Sequence, residues 1–188
     1  MKSKLIKTYF VVLFAIIFML SAQCLLFVKQ QQENEKRFVN SFCSYFSTFA
    51  DRFCTNVDTG YIFTAEGMNI CLDEITRVVS YFDERPYSVN FLSSSTIFAP
   101  DFDTLSLGDL ELRISSLSKT LNDGYPLEAA DVEWIQLLNK ELKLLRSTLY
   151  PEGTLDSEFL KEDRFTNVFQ EFFSNLALDD RLKQYAVE

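Results

Sequence analysis

Ser116 and Lys119 bound the tetrapeptide "SLSK", a spacing at which a lysine one helical turn away can take the proton of a nucleophilic serine. The companion SDN and KTG patterns of such acyl-enzymes are missing, and the tetrapeptide falls on the polar side of an amphipathic stretch. Asp101 and Asp103, in "DFD", have the form of the start of a calcium loop. The next ligand positions are Leu105 and Leu107, and the turn glycine is absent, so the EF-hand pattern fails. The chain contains no histidine, which removes His-based triads, Cys–His dyads and histidine metal sites together. No CxxC, GxGxxG or GxxxxGK[ST] pattern occurs. The sequence therefore predicts no catalytic residue, no metal site and no cofactor, and a non-enzymatic protein.

The cysteines remain as reactive groups. Cys54 falls about one turn before the end of one expected helix and Cys71 about one turn into the next. In an antiparallel hairpin these positions lie level, so a Cys54–Cys71 disulfide is a candidate, adding about 3 kcal/mol for a loop of this size. The alternative is that Cys43, Cys54 and Cys71 are small buried apolar residues.

The elements that would position these groups read as helices. Tyr9 to Val28, "YFVVLFAIIFMLSAQCLLFV", is twenty residues without a charge, preceded by Lys2, Lys4 and Lys7. At helical rise this run spans about 30 Å, the thickness of a bilayer core. Signal-peptidase cleavage after Ala22 would place Leu20 at the third position before the cut and leave "QCLLFV" at the new terminus. A lipidation site wants a small residue before Cys24, where Gln23 stands. The reading that needs neither concession is an uncleaved transmembrane helix. The lysines then keep residues 1–8 cytoplasmic. Residues 29–37 form a polar juxtamembrane segment, and residues 38–188 an extracytoplasmic domain at a bacterial cell membrane.

Beyond Val28 stand fifteen bases against twenty-seven acids. That balance excludes nucleic acid and argues against anionic lipid headgroups as partners of the outer part.

Phe38, Phe42, Phe46, Phe49 and Phe53 recur at steps of three or four and mark one face of a helix. Thr64 caps a second helix with Met68, Cys71, Leu72, Ile75, Val78, Val79 and Phe82 on its apolar face. Ser106 to Asp109 forms a capping box for a third, through Leu121, which ends at Gly124. A fourth runs from about Glu128 to Leu149. A fifth, capped by Asp156, carries Phe165, Val168, Phe169, Phe172, Phe173 and Leu176. The expected fold is all-α: one N-terminal transmembrane helix and an antiparallel bundle of four or five helices.

Residues 84–104 interrupt this pattern with some twenty residues lacking helical signal. A connection of that length in a compact domain is usually functional or disordered. Its apolar side chains, Tyr87, Phe91, Leu92, Ile97, Phe98 and Phe102, are the candidate contact for a protein partner. The nineteen phenylalanines raise a second reading, a ligand-binding ectodomain with an apolar pocket lined by Phe42, Phe46, Phe49, Phe169 and Phe173. A homo-oligomer is a further candidate.

Over residues 64–150 an amphipathic helix, a proline-containing aromatic loop, "DLELRISSLSKTL", the turn "NDGYPLEAAD" and "IQLLNKELKLLRSTL" follow in order. This order resembles the N-terminal region of the YpeB-type spore germination membrane proteins. Those proteins also begin with a short basic tail, a single span and a helical ectodomain, then continue into small repeated mixed domains. The resemblance implies a non-enzymatic membrane partner that stabilises a cortex-degrading hydrolase.

Overall fold

The computed structural model describes residues 2–83, 107–155 and 162–177; within these, the side chains of residues 2–12, 15, 31, 35, 82, 83, 162–164, 166 and 177 are outside the description. Among the described residues every element is helical. The order is α1 (Lys2–Asp58), a 3-10 turn (Tyr61–Phe63), α2 (Ala65–Asp83), α3 (Leu107–Asn122), α4 (Ala129–Leu149) and α5 (Glu162–Ala177). The chain divides into two compact units, Met1–Arg37 and Phe38–Glu188. The expected caps Ser106 and Asp156 lie outside the described residues.

Local signals explain where the helices start and stop. Thr64 caps α2 as expected: the Gly67 N–H donates to Thr64 Oγ1 at 3.1 Å. Glu128 and Asp131 form a capping box at the head of α4, and the Glu128 N–H donates to Asp131 Oδ2 at 3.1 Å. α3 ends where Gly124 takes a φ of 83°, which lets the Tyr125 N–H reach the Thr120 carbonyl at 3.1 Å.

Contacts between helices of the second unit give their directions. Asn56 meets Gly67 at the start of α2, whereas Phe38 stacks on Tyr81 near its end, so α1 and α2 run antiparallel. Asn69 bonds Asn122, and Thr76 bonds Glu111, which makes α2 and α3 antiparallel. Asp58 pairs with Lys143 and Asp51 with Arg146, so α4 opposes α1. Phe42 meets Phe165, and Phe46 meets Phe172, so α5 runs parallel to α1. Direction thus alternates along the chain.

The core is richest in aromatic rings on the α1–α5 side, with Trp134 on α4 and Tyr81 of α2 packed against it. Phe42, Phe46, Phe49 and Phe53 of α1 and Phe165, Phe169 and Phe173 of α5 are fully buried. Phe42 and Phe46 each meet Phe169 edge-on, with ring centroids 5.2 Å apart. Edge-to-face pairs of this kind add about 0.5–1.5 kcal/mol each beyond area burial. Ile114, Ile135, Leu138 and Leu142 complete the core from α3 and α4.

Gly67 is a point of close approach. A Cβ there would sit 2.1 Å from the Tyr61 carbonyl oxygen, a backbone atom that cannot move alone. Around Gly124 a Cβ would meet nothing within 4 Å, so only its left-handed backbone is at stake. We expect Gly67→Ala to lower stability by about 3 kcal/mol and Gly124→Ala by about 1 kcal/mol. Denaturant midpoints of the two variants against the parent check the ranking.

Candidate functional site

Within the first unit the described apolar side chains of α1 are in the open. Leu13, Phe14, Ile16, Ile17, Phe18, Met19, Leu20, Leu25, Leu26, Phe27 and Val28 are between 39% and 75% exposed. Ile17, Phe18, Met19 and Leu20 follow one another at about 100° steps, so the exposure covers every side of the helix. A helix that is apolar all round normally lies in a large core or a membrane. Among the described residues no helix is long and apolar enough to cross a membrane.

The candidate pocket residues do converge. Phe42, Phe46, Phe49, Phe169 and Phe173 are each at most 1% exposed. Phe46 meets Phe49 at 5.7 Å and Phe42 at 5.9 Å, Phe169 meets both Phe42 and Phe46, and Phe173 meets Phe172 at 5.0 Å. The candidate partner residues Tyr87, Phe91, Leu92, Ile97, Phe98 and Phe102 lie outside the described residues, as do Asp101 and Asp103.

Cys54 and Cys71 are level across the α1–α2 hairpin but are not joined: all four cysteines are free thiols. The reason is azimuth. Asn56 is the α1 residue that faces α2, its Nδ2 donating to the Gly67 carbonyl at 3.0 Å and to Cys71 Sγ at 3.4 Å. Cys54, two residues earlier, is turned about 200° around the helix. Its thiol faces α4 instead and donates to the Asn139 carbonyl at 3.8 Å.

Burial governs the three inner thiols. It pushes Cys43 up to about 12 and Cys54 and Cys71 up to about 11. The thiolate is the nucleophile and the metal ligand, and burial disfavours that form at all three positions. Among the described residues no group of three or more His, Cys, Asp or Glu side chains is placed to hold a metal ion. Ser116 and Lys119 are both exposed, and the Ser116 carbonyl accepts from Thr120 Oγ1 within the same helix.

The structure also assembles polar residues that periodicity had not singled out. Lys143 Nζ reaches both Asp58 oxygens at 2.7 and 2.9 Å, and Asn139 Nδ2 donates to the same carboxylate at 3.4 Å. The hydrogen bond from Lys143 is the main reason the Asp58 carboxyl sits below its usual range. Arg113 pairs with Asp131 between α3 and α4, its guanidinium 5.7 Å from the Trp134 ring centre. Asn56, Asn139 and Glu141 are buried although polar. The one local signal for them is a polar residue inside an otherwise apolar helical stripe.

Comparison with family models, curated proteins and solved structures finds no match.

The unfolded thiols release protons near 9.0, whereas the folded ones hold them to about 11 or 12. The native state therefore binds more protons in that window, and stability falls as pH rises through it. We expect thiol labelling of the folded protein at pH 8 to leave Cys43, Cys54 and Cys71 unmodified and labelling in denaturant to modify all three. Unfolding free energy should decline above pH 9, less steeply in Cys43→Ala.

Proposed function

We propose that this chain is a membrane-anchored, non-enzymatic helical protein whose bundle binds or positions a protein partner at the membrane surface. The observation that carries the reading is the run Leu13–Val28, apolar and exposed on every side of its helix. Leaving that surface in water is unfavourable by about 25 cal/mol per Å2. The twenty uncharged residues from Tyr9 to Val28 match a bilayer core in length, and Lys2, Lys4 and Lys7 set the amino end on the cytoplasmic side.

The bundle supports a binding role better than a chemical one. Its inner thiols are held protonated, and Ser116 and Lys119 stand exposed on a helix flank. The ring contacts of Phe42, Phe46 and Phe49 favour a packed core over a ligand pocket. On sequence grounds the partner contact is assigned to the apolar residues of 87–102. The order of parts over 64–150 that resembles the YpeB-type proteins points the same way, toward a protein partner.

The test is membrane retention together with crosslinking and co-purification of the full-length chain. The chain should stay in the membrane pellet through alkaline carbonate washing, and the double variant Ile17→Arg/Leu20→Arg should be released. Each central arginine disfavours insertion by about 2.5–3.5 kcal/mol. One dominant crosslinked protein should be lost when residues 87–98 are deleted, with helicity unchanged. Release of the parent chain by carbonate would sink the anchor. Unaltered capture by the deletion would sink the assigned contact.

A further inference from the structure

We propose that α5 is a releasable strap on the bundle and that the buried carboxylate of Glu141 is the group that keeps it loose. The other helix pairs of the second unit are tied by charged or repeated polar contacts. α1 and α4 share the Asp58–Lys143 and Asp51–Arg146 ion pairs. α3 and α4 share the Arg113–Asp131 pair. α2 and α3 share the Asn69–Ser118–Asn122 network and the Thr76–Glu111 bond. α1 and α2 share both hydrogen bonds of Asn56.

The polar tie of α5 is of a different kind. Among the described residues its one side-chain hydrogen bond runs from Asn175 Nδ2 to Glu141 Oε2 at 3.2 Å. Glu141 is 6% exposed. Its nearby cation is Lys140, the next residue on the same helix, at 3.9 Å and with its own side chain 78% exposed. A carboxylate in this position has given up water for one neutral donor and one distant, hydrated ammonium. Such a group is better solvated once the covering helix lifts, so docking α5 works against its desolvation.

Apolar contact supplies what holds α5 down. Phe165, Phe169 and Phe172 meet the rings of Phe42 and Phe46 on α1, and Phe173 and Leu176 are also buried. Lifting α5 therefore uncovers the aromatic face of α1 at Phe42 and Phe46, while the ion pairs and hydrogen bonds among α1 to α4 remain in place. Local opening of this sort is set by the contacts of the element that opens and not by global stability.

Amide hydrogen exchange on the full-length chain in detergent micelles tests the strap. Amides of 165–176 should exchange at least about tenfold faster than those of 42–57 and 134–146. Glu141→Met should slow exchange of α5 about tenfold or more and leave the other helices unchanged. Glu141→Gln, which keeps the shape and removes the charge, should slow it in the same direction if the methionine variant packs poorly. Asn175→Ala should speed it. Exchange of α5 in step with α1 and α4, or α5 protection unchanged or lowered in both Glu141 variants, would overturn the proposal.

Discussion

The second unit depends on the aromatic face of α1. Phe38, Phe42, Phe46, Phe49 and Phe53 form a continuous ladder on one side of that helix, and α2 and α5 are positioned by the rings that meet it. Aromatic rings are large and stiff, with two rotatable bonds each. Phe169 of α5 packs edge-on against both Phe42 and Phe46 of α1.

Apolar contact says little about register, because sliding one helix along another exchanges one ring for the next. The polar contacts supply it. The Asp58–Lys143 and Asp51–Arg146 pairs pin α1 against α4 at two levels. Asn56 pins α1 to the first turn of α2 through the Gly67 carbonyl, where the chain passes so close that only glycine fits. The surface ion pairs are worth little in stability. Their role is to reject the shifted packings that an aromatic ladder would otherwise tolerate.

The same arrangement encloses the three inner thiols. Cys43, Cys54 and Cys71 are inside the packed faces, where loss of hydration keeps each sulfur protonated. Ser116 and Lys119 stand on an exposed flank. Among the described residues of the first unit, Leu13, Phe14, Ile16 to Leu20 and Leu25 to Val28 are exposed apolar side chains.

By itself the sequence determined the all-α class, the cap at Thr64 and the apolar stripes. The recurrence of Phe38, Phe42, Phe46, Phe49 and Phe53, the cap at Thr64 and the stop at Gly124 are all local and appear where periodicity and turn chemistry place them. These features rest on interactions within a few residues, which is why they are legible in the chain alone. The tertiary structure decided which flank of α1 faces which neighbour. Cys54 and Cys71 are level, as their spacing implies, yet α4 and not α2 covers Cys54. Asn56, Asn139 and Glu141 are buried polar residues, Asn56 bonded to Gly67 of α2 and Glu141 to Asn175 of α5. Burial of a polar side chain is a property of the helix that lands on it, and that helix is a different element of the chain.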